Sequence, residues 1–313
     1  MEKFKWFPTE CAPELYPMRI IRGDFIFKNG ESIYIPDSRT INNGWGEVGS
    51  IHIVGEELKP LPVRLLITWF SFTEDKFYVG NFTLPYNRIL ELFTQGFQHP
   101  LTGKRTTYTR IIIGMAPGGF ISIWLAGNGV VIELCTFEAE ETSIDWKLIS
   151  EDLSKTRKEF IKERLEEVLN ADEIAKISKN IPIGLWKKYK TIYSWTLLII
   201  GRVEIQNIWL RFYNGESQFI NYKLGNRLEE FGKPVVKKIE IKWIAQSGKK
   251  YSGSVFFDEQ EIFEAFKKLN PITSGSVKLQ IEISDVDQGL KIYLRDEKYI
   301  LELKKFIIKI YSS

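Results

Sequence analysis

Residues 76–93 (KFYVGNFTLPYNRILELF) align without a gap on residues 249–266 (KKYSGSVFFDEQEIFEAF), placing Lys76, Tyr78, Gly80, Ile89, Glu91 and Phe93 on Lys249, Tyr251, Gly253, Ile262, Glu264 and Phe266. Flanking blocks follow in the same order. VRLLITWF at 63–70 matches KKIEIKWI at 237–244, so Trp69 falls on Trp243, and IWLAGNGVVIEL at 123–134 matches IYLRDEKYILEL at 292–303. Upstream, Asn29-Gly30-Glu31-Ser32 recurs as Asn214-Gly215-Glu216-Ser217. Shared block order is the mark of an internal repeat, because chance strand and turn patterns do not keep it. At roughly 100–200 residues per domain, a chain of 313 residues holds about two.

Periodicity gives each copy its elements. Ile239, Ile241 and Trp243 alternate with Lys238, Glu240 and Lys242, the pattern of a half-buried strand. The repeat carries that assignment to Leu65, Ile67 and Trp69. There the opposite face holds Leu66 and Phe70, so it too needs a cover, from the other copy or from a partner. Asn-Gly predicts an early hairpin turn. One helix per copy is expected, from Leu84-Pro85 to about Gln95 and from Asp258 to about Leu269, with Pro85 in a first turn and Asp258 as an N-cap. In the first copy, strands at 109–115 and 120–126 join through Ala116-Pro117-Gly118-Gly119, and Asn128-Gly129 leads into a strand at 130–137. The second copy has Asp285-Val286-Asp287-Gln288-Gly289 at the corresponding turn. A helical stretch from about Ile149 to Ser178, with Leu153, Phe160, Leu165 and Leu169 on its apolar side, ends at Asn180-Ile181-Pro182. The expected architecture is α+β: a tandem duplication of a mainly antiparallel sheet with one packed helix. Its parts are 1–148, a helical linker at 149–182, and a diverged repeat at 183–313.

Chemistry-bearing motifs are sparse. GWGEVG at 44–49 fits the dinucleotide pattern, but it precedes the strand-like run Ser50-Ile51-His52-Ile53-Val54, whereas a dinucleotide loop follows a strand and opens a helix. It reads instead as a glycine loop that seats or displays Trp45. The two histidines, His52 and His99, are too isolated for a common metal site. Glu138-Ala139-Glu140-Glu141 and Glu74-Asp75 read as solvated acids. No catalytic residue, metal ligand or cofactor is expected.

Charge is uneven: residues 1–150 carry 14 basic and 17 acidic side chains within a chain of net +3. The lysines of the remainder are scattered, and a nucleic-acid binder would show a denser basic stripe. Cys11 and Cys135 have no metal or redox spacing, which fits a reducing compartment. The stretch MEKFKWFPTEC lacks the apolar run of a leader, and the longest apolar segments, such as 195–201, are too short to span a bilayer. A cytoplasmic location without a membrane span is expected.

The first copy carries, in order, Gly44-Trp45-Gly46, Leu61-Pro62, Trp69-Phe70-Ser71-Phe72-Thr73-Glu74, Lys76-Phe77-Tyr78-Gly80, Leu84-Pro85, Gly114-Met115-Ala116-Pro117-Gly118-Gly119 and Ile123-Trp124-Leu125-Ala126-Gly127. In these residues it resembles a bacterial family catalogued as domain of unknown function 2931. Leu185-Trp186-Lys187-Lys188-Tyr189 with Trp195 extends the resemblance to about residue 200. Members are often encoded beside type VI secretion effectors. The resemblance therefore implies an immunity protein that binds and neutralises a cognate effector toxin by occluding its active site. Trp45, Glu47, Phe70, Phe72, Glu74 and Pro117 are the candidate partner-binding set, and of these Trp45 and the Pro117 turn have no counterpart in the second copy. A carbohydrate-binding protein stacking sugars on exposed aromatics is the alternative, and a hydrolase assembled in space is a third.

Overall fold

The strand alternation seen around Trp69 holds in three dimensions: Leu65, Ile67 and Trp69 are buried in one core, as Ile239, Ile241 and Trp243 are in their own strand. The computed structural model describes every residue except Met1, Ser38, His52, Glu151, Leu153, Ser178, 226–231, 270–276, 285–288 and Ser313. His52, Leu153 and the turn at 285–288 thus lie outside the described residues. The chain forms two compact units: residues 1–97 with 105–188, and residues 98–104 with 189–313.

Unit 1 contains β1 (Lys3–Lys5), β2 (Phe7–Cys11), β3 (Met18–Ile26), β4 (Ser32–Tyr34), β5 (Leu58–Pro60), β6 (Arg64–Ser71), β7 (Lys76–Thr83) and α1 (Tyr86–Gln95). β8 (Phe97–Gln98) and β9 (Arg105–Thr106) bracket the excursion at 98–104. β10 (Arg110–Ala116), β11 (Phe120–Gly127), β12 (Val130–Glu138) and β13 (Glu140–Thr142) follow, then α2 (Arg157–Val168), α3 (Ala171–Ile177) and α4 (Leu185–Lys188). Strands run in the orders β2-β10-β11-β12 and β13-β7-β6-β3-β4, and only the β2–β10 pair among them is parallel. Both sets and Ile89, Leu92 and Phe93 of α1 contribute to one core.

Two expectations are corrected. Residues 50–54 form no strand among the described positions: the Ser50 N–H and hydroxyl bond to Glu10 instead, and Ile51 and Ile53 are exposed. The stretch from Ile149 is not one helix, since α2 begins only at Arg157, where Thr156 and Glu159 form a capping box. Asn170 breaks it again by accepting the Glu173 N–H at 3.0 Å and so starting α3. These helices group with unit 1. Phe160 of α2 packs with Phe70, Phe72 and Phe77, which supplies the cover that the outer face of β6 and β7 needs.

Unit 2 contains β14 (Tyr193–Ile200), β15 (Val203–Phe212), β16 (Ser217–Asn221), β17 (Gly232–Lys233), β18 (Val236–Ala245), β19 (Lys250–Phe257), α5 (Glu259–Leu269), β20 (Val277–Ile283), β21 (Leu290–Arg295), β22 (Ile300–Leu303) and β23 (Phe306–Ser312). Its strand orders are β17-β14-β20-β21-β22 and β16-β15-β18-β19-β23, and β14–β20 is parallel. The Asp258 carboxylate caps α5 by accepting the Glu261 N–H at 2.9 Å. The fold is α+β, with mostly antiparallel pairing. No described helix is long and apolar enough to cross a membrane.

Local geometry recurs between the units. Trp69 stacks on Tyr78 at 5.3 Å and Trp243 on Tyr251 at 5.6 Å. A register shift follows Ile20, paired with Trp69, and another follows Ile205, paired with Trp243. The Trp6 indole donates to the Pro60 carbonyl at 3.1 Å, and the Trp195 indole to the Pro234 carbonyl at 3.1 Å. Lys59 donates to the Trp6 carbonyl at 2.7 Å, and Lys233 to the Trp195 carbonyl at 3.4 Å.

Candidate functional site

The glycine loop at 44–49 is braced by β2. Gly44 and Gly46 have φ of 108° and 78°, conformations that side chains with a Cβ rarely adopt. A Cβ on Gly49 would sit 2.0 Å from the Glu10 carbonyl, so only glycine lets the loop close on the strand. The Gly46 N–H donates to Cys11 Sγ at 3.3 Å and the Gly49 N–H to Thr9 Oγ1 at 3.0 Å. Glu10, fully buried, accepts the Ser50 N–H at 3.0 Å and the Ser50 hydroxyl at 2.5 Å through Oε1. Arg39 approaches the same oxygen at 3.5 Å. Burial pushes the Cys11 thiol far above its ordinary range, which makes it an acceptor and spacer and keeps it from thiolate chemistry.

This bracket seats Trp45 as a lid. Its ring meets Trp124 edge-on at 4.9 Å and lies 6.1 Å from both Phe120 and Trp186. Gly114 makes the room, since a Cβ there would come within 2.5 Å of Trp124 and 2.9 Å of Trp45. Beyond Trp45 the loop turns apolar side chains outward: Val48 is 41% exposed, and Ile51 and Ile53 are each 77% exposed.

A second cluster joins the β6–β7 turn to the β10–β11 turn. Glu74 Oε1 accepts the Tyr78 hydroxyl at 2.8 Å and the Gly118 N–H at 3.0 Å. Burial first, and the Glu74 carboxylate second, raise the Tyr78 phenol well above its usual pKa. Gly118 and Gly119 have φ of 79° and 73°, and a Cβ on Gly119 would meet the Tyr78 ring at 2.9 Å.

One family model, described as a protein of unknown function (DUF2931), matches residues 1–170, more than half of the chain. The chain belongs to the DUF2931 family. No curated protein and no solved structure matches it.

The DUF2931 match ends before α4, so Trp186 and Trp195 lie beyond it. Within the matched part, the candidate residues separate. Trp45 and Glu47 share the braced loop, and the Glu47 N–H donates to the Gly44 carbonyl at 3.3 Å. Glu74 is tied to the turn that holds Pro117, whose own side chain is buried. Phe70 and Phe72 sit beneath α2, Phe72 with its ring 5.9 Å from Phe160, and in this conformation they serve the interior of unit 1. Thr9, Glu10, Cys11, Asn43 and Ser50, which hold the loop, carry no motif, and only the placement of Glu10 in a run of otherwise uncharged, buried residues could have pointed to them. His99 uses Nδ1 to accept the Leu101 N–H at 3.2 Å and thereby closes a turn. Among the described residues, no three His, Cys, Asp or Glu side chains gather as a metal site requires. A cleft of about 660 Å³ in unit 1 is lined by Phe27, Asn29, Glu31, Glu56 and Lys59, and the Lys59 ammonium there is committed to the Trp6 carbonyl.

Proposed function

We propose that this DUF2931 chain is a binding protein of the immunity type, which neutralises a cognate type VI secretion effector toxin by covering its active site. The supporting observation is the exposed apolar run Val48, Ile51 and Ile53 beside Trp45, on a loop held by a buried polar bracket. Several apolar side chains presented together on a braced frame give a partner anchors at low ordering cost. Cys11 and Cys135 are not joined in a disulfide, which fits action in the reducing cytoplasm. We also propose that the scaffold arose by tandem duplication. Equivalent strand orders, the paired Trp–Tyr stacks and the twin Trp–Pro and Lys–Trp hydrogen bonds support that reading.

The test is co-expression with the product of the adjacent gene. The wild-type chain is expected to rescue growth and to co-purify with that product. The double variant Ile51→Asp, Ile53→Asp is expected to do neither while keeping the wild-type circular dichroism. Absence of both rescue and complex with the wild-type chain would refute the reading.

A further inference from the structure

β23 has β19 as its one strand neighbour in the described sheet order. The register pairs Ile307 with Phe256, Lys309 with Ser254 and Tyr311 with Ser252. The phase of the ladder follows from one bond, the Asp258 N–H to the Lys305 carbonyl at 3.0 Å. In an antiparallel pair this makes Phe257 and Phe306 a non-hydrogen-bonded couple. The backbone groups of Ile307, Lys309 and Tyr311 therefore point at β19. Those of Phe306, Ile308 and Ile310 point away from it, at the outer edge.

A row of outward donors and acceptors on a long strand is a template for another strand. The corresponding edge in unit 1, β13, is three residues long and carries Glu140 and Glu141. β23 is seven residues long, and Ile307 and Tyr311 are 63% and 64% exposed on either side of Lys309. Charge selects the occupant. The register brings Arg211 beside Lys238, and it sets Lys238, Lys242 and Lys309 on one face of the sheet with Glu240. Unit 2 as a whole carries 21 basic and 15 acidic side chains, so two copies meeting here would repel. The rings at the centre of the face are occupied by the protein's own cations. Arg211 lies 4.3 Å from the Trp209 centroid, and Lys238 and Lys309 lie 4.7 and 5.6 Å from that of Phe256. Rings capped in this way offer little to a nucleobase. Lys238 is already paired with Glu240, so Lys309, on the edge strand itself, is the ammonium placed to meet an incoming carboxylate.

We propose that β23 is a docking edge for an extended segment of a protein partner, with alternating apolar and acidic side chains, which adds to the sheet as a further strand. The surface belongs to unit 2 and does not depend on the reading given for the Trp45 loop.

Fluorescence anisotropy with the full chain tests this, using a labelled peptide of alternating valine and glutamate as probe. The controls are a valine–lysine peptide, the valine–glutamate peptide N-methylated at alternate residues, and single-stranded oligothymidine. The valine–glutamate peptide is expected to bind at least about tenfold tighter than each control, and Lys309→Glu is expected to erase the preference over the lysine peptide. Ile308→Pro removes an outward N–H without removing a bond to β19, a position where proline is tolerated, and is expected to abolish binding. Because the N-methylated peptide changes only the probe, that arm decides the matter even if Ile308→Pro fails to fold. Equal binding of the N-methylated peptide, tighter binding of oligothymidine, dimerisation of the free chain through this edge, or no saturable binding would each overturn the proposal.

Discussion

Replacing Glu10 with alanine is expected to open the Trp45 loop. The buried carboxylate holds the Ser50 N–H at 3.0 Å and the Ser50 hydroxyl at 2.5 Å. Truncation leaves both donors facing a void, and each buried donor without an acceptor costs about 1–3 kcal/mol. Part of that is returned, because Glu10 Oε2 is buried with no hydrogen-bond partner and its desolvation is relieved. The net expectation is a loss of about 3 kcal/mol in loop closure, on the order of a hundredfold in the opening equilibrium. Native-state hydrogen exchange reads this at the Gly46, Gly49 and Ser50 amides, which donate to Cys11, Thr9 and Glu10. Glu10→Gln keeps an acceptor for Ser50 and is expected to cost only about 1 kcal/mol. If alanine costs less than about 1 kcal/mol, or if glutamine costs as much as alanine, the bracket does not work as an acceptor for the loop.

Phe160→Ala removes the ring over Phe72 and is expected to destabilise unit 1 by about 3–5 kcal/mol in urea unfolding, against about 1 kcal/mol for Phe160→Leu. A loss below about 1 kcal/mol for alanine would mean that α2 is not a structural cover. Gly114→Ala pushes a methyl group to within 2.5 Å of Trp124 and is expected to cost about 1–3 kcal/mol and to shift the tryptophan emission, while unchanged emission would contradict the packing. Tyr78 and Tyr213 have phenols raised from the ordinary value of 10.0. A raised folded pKa gives stability that is fully present below the unfolded phenol value and is lost as pH climbs from there toward the native value. Unfolding free energy is therefore expected to fall above about pH 10, less steeply in Tyr78→Phe, and identical slopes would count against the buried phenol.

Much of the fold was legible because local chemistry and the matching sequence blocks pointed to the same elements. Alternation around Trp69 and Trp243, Pro85 and Asp258 at helix starts, and Asn-Gly turns all act within a few residues. The structure places those elements within one or two positions of the expected bounds. The division of 149–178 into separate helices is set by capping at Thr156 and Asn170, which amphipathic spacing alone does not reveal. The packing of Phe70 and Phe72 beneath α2 is not legible in the sequence, because a strand with two apolar faces does not say what covers the second. The seat of Trp45 was hidden for a different reason: Glu10 and Ser50 meet across 40 positions, and long-range hydrogen bonds leave no periodic signal. The twin Lys59 and Lys233 bonds leave no mark in the sequence, because each lysine reads as a surface residue until its strand is paired.

Hydrogen–deuterium exchange of the chain, alone and mixed with the product of the adjacent gene, asks whether the Trp45 loop is where a partner seats. Slowed exchange at residues 44–57, absent in the Ile51→Asp, Ile53→Asp double variant, is the predicted outcome. A complex that leaves this segment unchanged, or that the double variant forms with undiminished affinity, would contradict it.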